Sequence, residues 1–265
     1  MVRKIVVTSG KGGVGKTTLV CGLGVTLARM GYKTLLIDMD FGLNNLDVIM
    51  GVENKIVYDI IDVLEGKCLP KQAIIQDFQE ENLYIFPSTH SYCKVRFGSR
   101  ELLQIISKVE DNFDFVLIDS PAGIDGGFRR AVGSGDEFIV VTTPHLSAVR
   151  DGDKVINCLS TIRKPYLIIN RARGDLILDA KMLSIDAIKN SLNAELIGVI
   201  PEDDCVTTQS LEGNFFESNS MIQKSLNMIA NYLTKKELNI YDCTEKYKGL
   251  FGGIKKKLRG RVWKI

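Results

Sequence analysis

The sequence predicts an α/β fold in which helices cover both faces of a mostly parallel β-sheet. Seven short apolar runs rich in β-branched residues alternate with helical patterns along the 265 residues, and strands separated by helices of this length are joined by right-handed crossovers. A glycine-rich segment between the first strand and the first helix matches the phosphate-binding pattern G-x-x-x-x-G-K-S/T. With 45% hydrophobic residues, a chain of this length can bury the core of one compact domain.

Each strand is predicted from a continuous apolar run, because strands covered on both faces lack polar alternation. The strand segments are residues 5–7, 34–37, 83–86, 115–118, 138–141, 166–169 and 197–200. Helical patterns lie between most of these strands, for example at residues 17–30, 100–109, 147–162 and 179–191. Ligands of such sheets bind beyond the C-terminal ends of the strands. Asp38, Asp119 and Asn170 follow strand ends, and we expect one active site to collect them.

The phosphate-binding segment follows the first strand directly. It consists of Ser9, Gly10, Lys11, Gly12, Gly13, Val14, Gly15, Lys16, Thr17 and Thr18. Its glycines allow backbone N–H groups to face a phosphate, and the N-terminus of the following helix adds positive potential. We expect Lys16 to reach the β and γ phosphates and the Thr17 hydroxyl to hold Mg²⁺. Lys11 is not needed for that role, and we expect it to reach phosphate across a subunit interface.

The pair of lysines resembles the deviant Walker A motif of the MinD/ParA class of P-loop ATPases. Three further segments are similar to the MinD branch of this class: the first switch at residues 37–47, the Walker B strand and second switch at residues 117–123, and the strand-to-helix segment at residues 143–151. The resemblance covers essentially the whole chain. It implies that ATP lies between two copies of the chain, with Lys11 of each copy contacting the phosphates bound by the other.

Three aspartates are the candidate catalytic and metal-binding carboxylates. Asp119 ends an apolar strand, where a carboxylate is costly unless it serves metal or water, and we assign it to Mg²⁺ through the water shell. Asp38 and Asp40 are two residues apart, which places both on one face if the second strand extends that far. The resemblance implies that Asp40 positions the attacking water and that Asp38 lies nearer the metal. A capped loop rich in Asp and Asn is the alternative for either residue.

The remaining nucleotide contacts are predicted at loops beyond three other strands. Gly123 is expected to donate its backbone N–H to the γ-phosphate, which would make its loop a sensor of hydrolysis. Asn170 is expected to hydrogen-bond the adenine edge, and Arg171 to stack on the ring. The pocket would be closed by Pro201, Glu202 and Asp203, positions that match the adenine pocket of the family. The GTP-specific pattern N-K-x-D is absent, which favours ATP.

The C-terminal residues 243–265 are predicted to form a membrane-targeting segment, separate from an ATPase domain of residues 1–242. Residues 246–265 contain eight Lys or Arg and no acid, and subtracting those charges from the chain's +2 leaves −6 for the remainder. Apolar residues recur there at helical spacing, from Tyr247 to Ile265. A helix with one apolar and one cationic face lies in an anionic membrane surface. The predicted membrane contacts are Phe251, Ile254, Lys255, Lys256, Lys257, Leu258, Arg259, Val262 and Trp263.

Two other uses of this basic segment compete with membrane binding. The apolar stripe could dock on the protein's own body, or the charge could serve nucleic acid. The second use leaves the apolar stripe unexplained, so nucleic acid is not an expected partner. Four glycines within residues 249–260 disfavour a helix in water, and we expect the segment to fold on the membrane.

Cysteine usage and hydropathy indicate the compartment. The six cysteines have no C-x-x-C spacing, which indicates reduced structural thiols rather than a metal cluster. We expect no signal peptide, because the first strand begins almost at Met1, and no apolar run reaches the roughly 20 residues of a membrane span. The expected location is the cytoplasm or a plastid stroma, peripheral on the inner face of the membrane.

The resemblance implies an ATPase that converts ATP and water to ADP and phosphate, forms a homodimer in ATP, and selects the division site. Its implied partners are a MinC-like division inhibitor and a MinE-like topological regulator. The matching contact helix begins at residues 147–151 and continues through Asp153 and Lys154, although these charges could equally be a solvated face. His145 departs from the family pattern and leaves partner preference open. A ParA-like DNA-partition ATPase, a flagellar-number ATPase and a scaffold that binds nucleotide without hydrolysis are the alternatives.

Overall fold

The computed structural model describes residues 1–41, 45–88, 97–202 and 220–248. Their eight strands form one sheet in the order β3-β4-β2-β5-β1-β6-β7-β8. The strands are β1 (Arg3–Thr8), β2 (Thr34–Asp38), β3 (Ile75–Gln76), β4 (Leu83–Phe86), β5 (Phe115–Asp119), β6 (Glu137–Thr142), β7 (Tyr166–Ala172) and β8 (Glu195–Pro201). All neighbours pair in parallel except β3, which is antiparallel to β4. The predicted fold class and all seven predicted strands are confirmed.

Helices lie on both faces of this sheet. They are α1 (Lys16–Arg29), α2 (Asn45–Met50), α3 (Ile60–Leu64), α4 (Pro70–Ala73), α5 (Ser99–Ser107), α6 (Gly126–Val132), α7 (Leu146–Ser160), α8 (Gly174–Leu178), α9 (Ile185–Ser191) and α10 (Met221–Lys235). The sheet separates two apolar cores, and successive residues of β1 point into opposite ones. Ile5 and Val7 pack in the core beneath α1 and α10, whereas Val6 packs in the core beneath α3, α5, α6, α7 and α9. This alternation is the two-residue period of a strand covered on both sides.

One predicted helix is wrong in its extent. Residues 179–191 were expected to be continuous, but the structure has α8 ending at Leu178 and α9 beginning at Ile185. Ala180 has a φ of 54°, a left-handed conformation that interrupts a right-handed helix. The hydroxyl of Ser184 then accepts a hydrogen bond from the Ala187 N–H and caps the new helix. The short edge strand β3 was not predicted, because two residues are too few to show a pattern.

The chain from Asp242 to Lys248 is packed on the ATPase body. Cys243 and Tyr247 are buried, and Gly174 at the start of α8 approaches Cys243 so closely that a Cβ there would lie 2.0 Å from the Cys243 carbonyl oxygen. Lys248 forms an ion pair with Asp242 at 2.8 Å. Tyr247, predicted to begin the membrane-facing stripe, is therefore part of the body instead. The predicted membrane contacts from Phe251 to Trp263 lie outside the described residues, and within the described part of the chain no helix is long and apolar enough to cross a bilayer.

Candidate nucleotide site

The phosphate loop joins the central strand β1 to α1 and is shaped by glycines. Gly13 and Gly15 have φ values of 76° and 90°, which a residue with a Cβ rarely adopts. Gly10 lies against α7, and a Cβ at this position would be 2.1 Å from the Asp151 carbonyl carbon. The loop is thus held at a close approach to α7, and only glycine fits at position 10.

Lys16 and Thr17 open α1 directly beneath the loop. Lys16 is buried, with 8% of its surface exposed. The Thr17 hydroxyl donates a hydrogen bond to Asp119 Oδ2 at 2.6 Å, so the two residues predicted to serve Mg²⁺ are in contact. Lys11, in contrast, is exposed. The structure therefore brings one lysine inward to the site and leaves the second lysine facing out of the chain.

Asp38 and Asp119 are adjacent at the ends of β2 and β5, where they are register partners. Burial, together with the charge of the neighbouring Asp119, raises the pKa of Asp38 to about 8. Burial likewise raises the pKa of Asp119 to about 7, although the Thr17 hydrogen bond and the charge of Lys16 act in the opposite direction. Two buried carboxylates without a cation favour protonation, and a bound cation would reverse this.

The oxygen atoms present fit a magnesium ion. Asp119 Oδ1 is buried and, among the described residues, has no hydrogen-bond partner, so it is available to accept from a metal-bound water. Within the same part of the chain, no group of three or more His, Cys, Asp or Glu side chains could hold a metal on its own. Mg²⁺ uses one or two protein oxygens and completes its shell with phosphate and water. Thr17 and Asp119 supply such oxygens, with Asp38 adjacent.

The placement of Asp40 corrects the argument from strand geometry. Strand β2 ends at Asp38, so the two aspartates do not share one face of a continuing strand. Instead the chain turns, and the Asp40 N–H donates a hydrogen bond to Asp38 Oδ1 at 2.8 Å, as an Asx turn does. Burial raises the pKa of the half-buried Asp40, and the charge of Lys16 lowers it. Asp40 is therefore close enough to Lys16 for the lysine charge to act on its carboxylate, although not through a continuing strand.

Gly123, in the segment similar to the second switch, has a left-handed conformation, with φ at 90°. Its N–H donates a hydrogen bond to the Ser9 carbonyl oxygen at 2.9 Å, rather than pointing freely towards a ligand. Ser9 was not predicted to have a role, yet its hydroxyl also donates to the Lys11 carbonyl at 2.8 Å. The predicted contact of Gly123 with a γ-phosphate would need the bond to Ser9 to be exchanged. A serine before a glycine-rich loop carries no sequence signal for such a link.

The residues predicted to bind the base lie at the ends of β7 and β8. Arg171 is exposed, with a φ of 54°. Pro201 is opposite Ala172 in the β7–β8 pairing, and Glu202 donates its N–H to the Ala172 carbonyl. Asn170 lies between this edge and the phosphate loop, since its Nδ2 donates to the Val14 carbonyl oxygen at 2.8 Å. Asp203, the last predicted residue of this pocket, lies outside the described residues.

A groove runs along the helix that the resemblance assigns to partners. It lies between α7 and α9 and has a volume of about 460 Å³. The residues that line it are Leu146, Val149, Arg150, Asp153, Lys154, Leu183, Ala187, Ser191 and Leu192. Leu146 is 63% exposed, and Lys154 forms an ion pair with Asp151 at 3.0 Å. Apolar residues and charged residues of both signs line the groove.

Comparisons with known proteins identify the family. The family described as "AAA domain" matches residues 2–171. The chain is also 40% identical over 265 residues to the septum site-determining protein MinD of Synechocystis sp., an alignment that covers 98% of this chain and 100% of the relative. The chain belongs to the MinD family of septum site-determining proteins.

Two solved MinD structures agree with this assignment. MinD in the MinC:MinD cell division protein complex of Aquifex aeolicus superposes with a TM-score of 0.85 at 36% identity, over 91% of this chain and 99% of that one. MinD of Pyrococcus horikoshii, complexed with Mg-ADP, gives a TM-score of 0.80 at 32% identity, over 89% and 97% of the two chains. The resemblance drawn from the doubled lysine and the switch segments is confirmed, and so is the MinD-type P-loop architecture.

Asp38 provides a test of the electrostatics of this MinD-family site. In the nucleotide-free, metal-free protein the folded state keeps the Asp38 proton up to about pH 8, whereas the unfolded chain releases it near the ordinary value of 3.8. Because the folded state holds this proton more tightly than the unfolded chain, the free energy of unfolding falls as the pH rises between these two values. The fall is at most about 1.4 kcal/mol per pH unit. Asp38→Asn is expected to remove this loss and to be more stable than the wild type at pH 8.

The measurement is urea unfolding of both proteins in EDTA between pH 5 and 8.5. The difference in unfolding free energy should grow with pH and level off above about pH 8. Parallel stability curves for the two proteins would contradict the assigned burial of a charge at Asp38.

Proposed function

We propose that this chain is a magnesium-dependent ATPase that dimerises on ATP and associates peripherally with a membrane. There it would recruit a division inhibitor to select the division site of a cell or plastid. The observation that carries the proposal is the contact between Thr17 Oγ1 and Asp119 Oδ2 beside the buried Lys16, with a second lysine, Lys11, exposed on the same loop. The Mg-ADP complex of the Pyrococcus horikoshii relative supports the nucleotide and the metal.

In the proposed reaction, the chain positions the phosphates and a water molecule. Lys16 and the N–H groups of the loop bind the β and γ phosphates, and Thr17 and Asp119 hold Mg²⁺, which neutralises charge that develops on the transferred phosphoryl group. Asp40 orients the attacking water; burial raises the pKa of its carboxyl group, and the charge of Lys16 acts in the opposite direction. Gly123 exchanges its bond to Ser9 for one to the γ-phosphate and thereby reports whether that phosphate is present.

The proposed homodimer is supported by the exposure of Lys11 on the phosphate loop. Lys16 already serves the phosphates from inside the chain, so a second cation on the outer side of the loop is suited to phosphates bound by another copy. A positive charge supplied across an interface to a phosphoryl group in transfer is worth about 10³–10⁵ in rate. Hydrolysis would thus require two copies, and loss of the γ-phosphate would weaken their association.

The proposed membrane contact belongs to the segment after Lys248. Each basic residue near an anionic surface contributes about 1 kcal/mol, so one such segment anchors weakly. Two segments on a dimer act by effective concentration and bind more tightly than one. ATP would therefore control membrane residence through dimerisation, with no further contact required, and the protein would work on the cytoplasmic or stromal face.

The proposed partners are a MinC-like inhibitor and a MinE-like regulator of hydrolysis. The Aquifex aeolicus relative was solved as a MinC:MinD complex, and the groove between α7 and α9 offers a surface of suitable chemistry. Because α7 also touches the phosphate loop at Gly10, a regulator bound there would lie next to the site whose turnover it changes.

Co-sedimentation with anionic liposomes tests the membrane switch. We compare the full chain with a chain that ends at Lys248, which keeps the buried Tyr247 and removes only the basic segment beyond it. The full chain should bind liposomes about 100-fold more tightly in ATP than in ADP, because the dimer carries two segments. The shortened chain should not sediment in either nucleotide.

Neutral liposomes and a phosphate-release assay are the controls. Both chains should hydrolyse ATP when dimerisation is forced by high concentration, since the site itself is unchanged. Liposome binding by the shortened chain in ATP would contradict the assignment of the membrane contact. ATP-dependent binding to DNA in place of liposomes would favour the partition class instead.

A further inference from the structure

The side-chain amide of Asn170 is engaged with the phosphate loop. Its Nδ2 donates to the Val14 carbonyl oxygen at 2.8 Å, and its Oδ1 accepts from the Arg171 N–H at 2.9 Å. The orientation of the amide follows from these partners, because a backbone N–H only donates and a carbonyl only accepts. Asn170 therefore connects the end of β7, on the base side of the site, to the loop that binds phosphate.

The contact is close, and the loop is adapted to it. A Cβ on Gly15 would lie 2.5 Å from Asn170 Nδ2, so the amide occupies the space that a side chain at position 15 would need. Val14 is 3% exposed and packs in the apolar cluster of α1 and α10. The Gly15 carbonyl in turn accepts the Leu19 N–H at 3.0 Å. The Val14–Gly15 peptide is thus fixed by the core on one side and by Asn170 on the other.

The direction of this peptide decides which polar group faces a phosphate. No peptide bond in the described residues is cis, so the Val14 C=O and the Gly15 N–H point to opposite sides. Gly15 has a φ of 90°, and glycine passes easily between positive and negative φ. A rotation of this peptide would turn a carbonyl oxygen, rather than an N–H, towards a bound anion.

We propose that Asn170 is a positioning residue of the phosphate loop, which holds the Val14 carbonyl back so that the Gly15 N–H faces the phosphates. The inference rests on the nucleotide binding proposed above and goes beyond it. A residue that only reads adenine acts on ligands that carry a base. A residue that orients the loop acts on every ligand that carries the phosphates.

The test uses a ligand that has phosphates and no base. We measure the Kd of Mg-tripolyphosphate and of Mg-ATP by calorimetry for the wild type and Asn170→Asp. The variant has nearly the same shape and keeps an oxygen for the Arg171 N–H and for an adenine amino group. It loses the donor to Val14 and places an oxygen against the carbonyl oxygen. Both ligands should bind about tenfold more weakly, by the same factor, because a part-buried hydrogen bond is lost and a contact between two oxygens replaces it.

Two further variants make the result specific. The exposed side chain of Arg171 is predicted to touch only the base. Arg171→Ala should therefore weaken the binding of Mg-ATP and leave the Kd of Mg-tripolyphosphate unchanged. Asn170→Ala removes the bond without adding repulsion, and it should weaken both ligands by a smaller, equal factor. Asn170→Ala also provides the binding test if Asn170→Asp unfolds at the assay temperature.

The possible results separate the two proposals. If both Asn170 variants weaken the binding of ATP but not of tripolyphosphate, Asn170 contacts the base, and the proposed positioning role is overturned. Unchanged affinity for both ligands overturns it as well. If the wild type binds neither ligand, the proposed nucleotide function falls, and the role of Asn170 falls with it.

Discussion

Replacing Lys11 by alanine is expected to abolish ATP-dependent dimers and to lower ATP hydrolysis about 1,000-fold, the lower limit for a cation supplied in trans. Lys11 is exposed, and within residues 1–41, 45–88, 97–202 and 220–248 no carboxylate lies at ion-pair distance from it. Its removal therefore breaks no salt bridge in the described part of the chain. The fold should remain, because exposed positions without such partners change stability by less than about 0.5 kcal/mol.

Size-exclusion chromatography with light scattering in ATP, together with phosphate release, measures both effects. Lys33→Ala is the matched control, since Lys33 is also exposed and directly precedes β2, at the opposite edge of the parallel sheet from the loop. The control should dimerise and hydrolyse ATP as the wild type does. A Lys11→Ala protein that still forms dimers in ATP would contradict the arrangement of ATP between two copies.

Replacing Asp40 by asparagine is expected to lower hydrolysis by a factor of about 10²–10⁴ while leaving ATP binding and dimerisation in place. A positioned carboxylate that orients or deprotonates the attacking water contributes this much. The asparagine keeps the backbone N–H that bonds to Asp38 Oδ1, so the turn after β2 should be retained. Because hydrolysis would end the membrane-bound state, the variant should accumulate on liposomes in ATP.

Single-turnover phosphate release separates the chemical step from binding for this variant. Asp111→Asn changes an exposed carboxylate in the short 3₁₀ turn before β5 and should behave as the wild type. A wild-type rate in Asp40→Asn would exclude this carboxylate as the group that activates water. The role would then pass to Asp38 or Asp119, whose neutral amide variants would be compared in the same assay.

All strands except β3 were predictable from sequence because each is covered on both faces and forms an unbroken apolar run. The break between α8 and α9 was not, since the left-handed Ala180 is a residue that normally favours helix. Helix α10 was also missed, although Ser220 caps it with a hydrogen bond to the Gln223 N–H. Such caps are clear once the helix is known, but a lone serine does not define a helix start.

The grouping of the residues proposed to bind phosphate and Mg²⁺ was predictable for a different reason: that chemistry demands particular residue types at fixed spacing. The pairing of Thr17 with Asp119 followed from that demand, although 102 residues separate them. The contacts of backbone groups were not predictable, because every residue carries an N–H and a carbonyl. The bond from Gly123 to Ser9 and the bond from Asn170 to Val14 belong to this second group, and each gives a predicted site residue a partner within the chain.

The bare backbone at Gly10 has a thermodynamic consequence. No side chain lies between the loop at Gly10 and the backbone of Asp151 in α7. A displacement of α7 towards the loop therefore cannot be taken up by a change of side-chain rotamer, and the loop must either move with the helix or oppose its movement. Two ligands that prefer different positions of one rigid element change each other's affinity by the same factor, in either order of binding. A protein that docks on α7 and alters ATP affinity must therefore itself be held more or less tightly, by an equal factor, when ATP is bound.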